Sequence, residues 1–154
     1  MIIKKFFFLL IFFSLTACGY QAIYSQKNIT KIKISEINSF GEKKINRLIL
    51  SFITPNIKET NKNGYILNLT SKKNKETIVK DSSGTSETFK ITLNVSIKIT
   101  EDINKKIIYK NKQFNANFIY ANKNDKFELS QDEKNIEANL SETIAAQIIV
   151  YLNS

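Results

Sequence analysis

Phe89-Lys90-Ile91-Thr92-Leu93-Asn94-Val95-Ser96-Ile97-Lys98-Ile99 alternates an apolar with a polar side chain without a break. Successive side chains of an extended chain point to opposite faces, so a period of two over eleven residues predicts a β-strand with one dry and one wet face. A strand of that kind needs a sheet around it and a second layer over its dry side.

The neighbouring segments supply both. Upstream, Ser82-Ser83-Gly84-Thr85 reads as a turn, and Tyr65, Leu67 and Leu69 alternate with polar residues ahead of it. That strand is expected to run on past Lys72-Lys73-Asn74-Lys75-Glu76 into Ile78 and Val79. Downstream, a polar turn around Asp102–Lys106 leads to a further strand, whose later half alternates Phe114, Ala116, Phe118 and Tyr120. Its alternation slips between Tyr109 and Phe114, which predicts a bulge there. A first strand is expected around Ile29–Ile37.

Two helices complete the set. Ile45, Leu48, Ile49, Phe52 and Ile53 recur at helical spacing, Pro55 stops them, and Ser39 with Glu42 has capping-box spacing at the start. Residues 121–129 read as a charged loop. Ser130 and Glu133 repeat the capping-box spacing ahead of a face formed by Ile136, Leu140, Ile144, Ile148, Tyr151 and Leu152. The order β-α-β-β-β-α predicts an α+β fold, a two-layer sandwich of a mostly antiparallel four-stranded sheet with two helices on one face. The first two strands, joined through a helix, would be parallel neighbours.

The amino terminus has a separate logic. Lys4 and Lys5 precede the apolar run Phe6–Phe13, which is too short to span a bilayer, and small and polar residues follow. Leu15-Thr16-Ala17-Cys18 closes that segment with the only cysteine of the chain. The stretch resembles the lipobox of bacterial lipoproteins, and the resemblance implies cleavage before Cys18, an S-diacylglycerol group on its thiol and an acylated new amino terminus. Residues 1–17 are then a lipoprotein signal peptide, 18–28 a lipidated tether, and 29–154 a single domain. One acyl chain anchors marginally, at about 0.8 kcal/mol per buried CH₂, so three on one residue would hold the protein at a membrane.

Composition narrows the chemistry. The 154 residues include no histidine, which removes histidine-based triads, histidine general bases and histidine-containing metal sites. The lone thiol is consumed by lipid. The four glycines are isolated, so no phosphate-cradling loop is present. The pairs Glu101-Asp102 and Asp132-Glu133 suit a solvated turn and a helix's first turn. The chain is not expected to be an enzyme, and no cofactor is expected beyond the covalent lipid.

Charge points to binding. There are 23 basic against 14 acidic residues, and all the basic ones but Arg47 are lysine. Lysine, asparagine and isoleucine are over-encoded by AT-rich genomes, which accounts for part of that excess. Export from the cytoplasm argues against a nucleic-acid partner. Lys72, Lys73, Lys75 and Lys80 crowd one strand pair, and Lys105, Lys106, Lys110 and Lys112 the next turn. Ammonium groups beside apolar strands suit an amphiphile with phosphates on an acylated body. The same lysines would also blunt strand edges against aggregation.

Cys18-Gly19-Tyr20-Gln21-Ala22-Ile23-Tyr24 resembles the mature start of the LptE family, the lipopolysaccharide-assembly lipoproteins, and the β-α-β-β-β-α order and length are similar as well. The resemblance implies an outer-membrane lipoprotein on the periplasmic side that plugs the LptD β-barrel, assists its assembly and binds lipopolysaccharide. It carries over no binding residue apart from the acylated Cys18. The assignment of lipopolysaccharide to Lys72, Lys73, Lys75, Lys80, Lys105 and Lys106 therefore rests on their chemistry alone. An auxiliary lipoprotein of an ABC-type lipid transport system is the alternative.

Overall fold

The computed structural model describes residues 32–60, 64–101 and 110–153. Cys18 and its motif, and Lys105 and Lys106, lie outside the described residues. The elements are β1 (Lys33–Gly41), α1 (Lys43–Ile53), a 3₁₀ turn (Thr54–Asn56), β2 (Lys58–Glu59), β3 (Tyr65–Lys80), β4 (Ser86–Glu101), β5 (Lys110–Ala121) and α2 (Lys126–Leu152). They form one sheet in the order β2-β1-β3-β4-β5.

The period-two strand is the centre of that sheet. Ile91, Leu93, Val95, Ile97 and Ile99 of β4 are all buried, and Leu67 and Leu69 of β3 lie beside them. Ile45, Ile49 and Ile53 of α1 and Ile144, Ile148 and Leu152 of α2 close the same core. Both helices therefore cover one face, as the sequence predicts, and each buried Leu or Ile contributes roughly 1.5–3 kcal/mol. The other face is open. It carries Thr70, Lys72, Asn94, Ser96, Gln113 and Asn115, with Phe40 of β1 standing 57% exposed at its margin.

β1 and β3 are parallel neighbours, and the β3–β4 and β4–β5 pairs are antiparallel. The sheet has five strands rather than four. After Pro55 the chain returns to β1, where the N–H groups of Lys58 and Thr60 donate to the carbonyls of Ile32 and Ile34 (both 3.0 Å). The two-residue β2 results.

Both capping boxes fail, the first for a tertiary reason and the second for a local one. Ser39 pairs with Leu69 in the ladder, so β1 continues to Gly41, past the end expected at Ile37. Gly41 turns the chain at φ +88°, and Glu42 occupies the N-cap of α1 without a side-chain bond. Its backbone is instead tied to Ser71, whose carbonyl accepts the Glu42 N–H (3.2 Å). Ser130 lies inside α2, which begins earlier, within the stretch expected to be loop. There Asp125 accepts the N–H groups of Phe127 and Glu128 and satisfies two orphan donors. Leu129 is buried and extends the apolar face by that extra turn.

The bulge expected between Tyr109 and Phe114 does not occur within the described part of β5, which pairs with β4 without a register shift from Lys110 to Ala121. The alternation slips because Lys110 and Lys112 occupy helix-side positions, opposite Ile99 and Ile97. Their ammonium groups lie over the Tyr151 ring, 5.6 and 4.9 Å from its centroid. Bulges sit elsewhere, near Ile34 in the β1–β3 pair and around Thr77–Lys80 in the β3–β4 pair.

Candidate functional site

Three features of the sandwich have chemistry beyond packing. The first is an ionic cluster between β3 and the helices. Lys73 and Lys75 stand opposite Leu93 and Ile91, on the helix-covered side of β3. A strand face that carries Lys73 and Lys75 beyond Leu67 and Leu69 is stable here because α2 places two carboxylates above it. Glu137, with a side chain only 6% exposed, accepts Lys44 of α1 at 2.6 Å and Lys73 at 2.9 Å. Glu133 accepts Lys75 (2.6 Å) and the Tyr120 hydroxyl (2.9 Å). Lys75 also lies 4.3 Å from the centroid of the Phe89 ring.

The charges respond to this setting. Burial works against ionisation of Glu137, but the bonds from Lys44 and Lys73 outweigh it and hold the carboxyl below its ordinary value. The bond to Glu137 raises Lys73 above its ordinary value against the cost of burial. Burial raises the Tyr120 hydroxyl, and the bond to the Glu133 carboxylate adds to that.

The second feature is the open sheet face. A shallow depression of about 410 Å³ is lined there by Thr70, Lys72, Asn94, Ser96, Gln113 and Asn115, among others. The Asn115 amide donates to the Asn94 side-chain oxygen at 2.8 Å. Hydroxyls, amides and one ammonium offer both donors and acceptors to a polar ligand.

The third is a groove of about 1030 Å³ between β5 and α2. Lys112 and Phe114 form one wall, and Ala146, Ile149, Val150 and Tyr151 the other. Phe52 of α1 also reaches it. Phe52 fits the helical apolar period yet is 37% exposed, because Ile45, Ile49 and Ile53 already fill the core side of α1.

The lysines singled out by the sequence are thus distributed rather than clustered. Lys72 is exposed on the open face, opposite Asn94. Lys73 and Lys75 point the other way and hold α2 to the sheet. Lys80 ends β3, opposite Ser86 and beside a register shift. Sequence reasoning missed Glu133, Glu137 and Lys44; their spacing on α2 and α1 was visible, but not that they meet β3. Among the described residues no group of three or more acidic side chains could hold a metal ion. No described helix is long and apolar enough to cross a membrane.

No family model matches the chain, and no curated protein sequence does. Solved structures do share its fold. Rare lipoprotein B from Shewanella oneidensis superposes with a TM-score of 0.61 at 13% identity, over 78% of this chain and 92% of that one. A minor lipoprotein from Acinetobacter baumannii gives 0.59 at 16% identity, over 79% and 90%. Lipoprotein B from Nitrosomonas europaea gives 0.63 at 13% identity, over 86% and 91%. At such identities the likeness is one of fold.

Proposed function

We propose that this chain is a lipid-anchored lipoprotein of the outer membrane that plugs an LptD-type β-barrel, assists its assembly and binds lipopolysaccharide on the way to the outer leaflet. One observation carries the reading: a domain with the fold of bacterial lipoproteins follows a lipobox-like Leu15–Cys18 motif. The Cys18-Gly19-Tyr20 start supports the narrower assignment. The role is binding, not catalysis.

The open face supports the ligand. Lys72 offers an ammonium for a phosphate, and the hydroxyls and amides around it match sugar hydroxyls. An exposed ammonium is screened by salt, so the binding it supports weakens as ionic strength rises.

The test is purification from detergent-solubilised outer membranes, with mass spectrometry of the isolated chain. We expect a Cys18 terminus carrying three acyl chains and a large β-barrel as stoichiometric partner. Cys18→Ala should leave the signal uncut and the protein out of the outer membrane. A bare terminus would overturn the anchor. Recovery with inner-membrane transporter components would favour the lipid-transport alternative and sink the plug reading.

A further inference from the structure

β5 is the last strand of the sheet, and its outer edge pairs with no described strand. Hydrogen bonding fixes which backbone groups face that edge. The Asn122 N–H donates to the Glu87 carbonyl across to β4 at 2.7 Å. Inward and outward backbone groups alternate along an antiparallel strand. The β4–β5 register is unbroken from Ile99↔Lys110 to Thr88↔Ala121. The even-numbered residues therefore address β4, and the odd-numbered residues from Asn111 to Ala121 turn their N–H and C=O groups outward.

Edges of this length are usually protected by charge, proline, bulges or brevity. The opposite edge obeys that rule: β2 has two residues, and β1 beyond it carries a register shift and the charged Glu36. The β5 edge does not. From Gln113 to Ala121 it has no charged residue, no proline and no bulge. Phe118 and Ile119 are 51% and 54% exposed on it. Alongside runs the groove between β5 and α2, where Val150 is 62% exposed and Ile149 half-buried above the buried Phe114. That groove occupies the place where the inward side chains of a sixth strand would go.

We infer that this edge accepts an extended strand from a different polypeptide, which adds to β5 and sets alternate apolar side chains into the groove. Lys110 and Lys112 at the start of the edge select a segment with an acidic residue at that end. A second copy of this chain fits poorly. Two-fold pairing of β5 with itself would bring two α2 helices to the same groove, and both copies are basic. The inference does not depend on the identity of the barrel, and it goes beyond the lipopolysaccharide reading.

The probe is a synthetic peptide of alternating valine and threonine with glutamate at one end, added to the full processed chain in detergent. Amide hydrogen exchange is read residue by residue. We expect the amides of Gln113, Asn115, Asn117 and Ile119 to slow at least tenfold at saturating peptide, while those of Phe114, Ala116 and Phe118 stay as slow as before. Asn117→Pro removes an outward donor and none of the β4 ladder, so it should abolish the effect with even-numbered protection intact. Ile119→Lys, or lysine in place of the peptide's glutamate, should weaken it at least fivefold. Unchanged odd-numbered amides at saturating peptide would overturn the inference. So would odd-numbered protection without peptide, which would mean that the chain covers its own edge. Protection that grows with protein concentration alone would overturn it in favour of self-association.

Discussion

Among the described residues Glu137 is the one nearly buried carboxylate that joins three elements, and its removal is the sharpest test of how this sandwich is held together. Each of its bonds to Lys44 and Lys73 is charge-assisted and contributes about 1.5–3 kcal/mol where fully enclosed. The lysine side chains are 54% and 36% exposed, so solvent screens much of that. In Glu137→Ala both ammoniums turn to water, and no charge is stranded in the core. The expected loss is therefore about 2 kcal/mol, below the roughly 3–5 of a closed buried pair. For a domain of this size that lowers Tm by about 4–10 °C. Glu137→Gln, which keeps the shape and one acceptor oxygen, should lose about half as much. The pH dependence carries a definite sign. The folded-state value of Glu137 is depressed, so its contribution is present above the ordinary glutamate range and is lost as pH falls through the depressed value. The folded-state value of Lys73 is raised, so its contribution holds below about 10.5 and is lost as pH rises through the raised value. Urea titrations at pH 3, 7 and 11 with the same variants measure both limbs. A loss under about 0.5 kcal/mol at pH 7 for Glu137→Ala, or an acid limb unchanged in Glu137→Gln, would refute the reasoning.

Gly41→Ala should cost at least about 2 kcal/mol in the same titrations, because φ is +88° and the new Cβ would collide with the Ser71 carbonyl oxygen. Gly84→Ala, at φ +83° with open space around it, should cost only about 1 kcal/mol; equal losses would show that the β1–β3 approach is slack. Lys72→Glu should weaken lipopolysaccharide binding several-fold in a salt-dependent manner and leave Tm unchanged, whereas Lys73→Glu should lower Tm. Equal effects of the two on Tm would contradict their opposite orientations.

Sequence alone reads the sandwich where burial is one-sided and local. The β4 alternation and the Ile45–Ile49–Ile53 and Ile136–Ile144–Leu152 faces stand in the structure as they stand in the sequence. Local chemistry misleads where a distant partner decides. Ser39-x-x-Glu42 has the spacing of a cap, but Ser39 is held by Leu69 across the β1–β3 ladder. Ser130-x-x-Glu133 has it too and fails for a local reason instead: Asp125, five residues upstream, caps the helix earlier. Leu129, seven residues before Ile136, was the signal that the helix begins sooner. Lys110 and Lys112 look like a break in a strand only if an inward position must be apolar; an aromatic ring above them serves as well.

The same point governs how the basic excess divides. Lysines 72, 73 and 75 are neighbours in the chain, and a triple charge reversal looks like a test of ligand binding. In the structure it would mix two experiments. Lys73 and Lys75 are spent on Glu137 and Glu133, over sixty and nearly sixty residues away, so reversing them sets like charges against α2 and loosens the helix layer. Only Lys72 faces solvent with its side chain beside Asn94 on the open sheet. Binding lost in the triple variant would therefore report unfolding as readily as recognition, and the single substitution at Lys72 separates them. Period two makes the distinction: one residue along a strand is the difference between a charge that holds the fold and one that is free to meet a ligand.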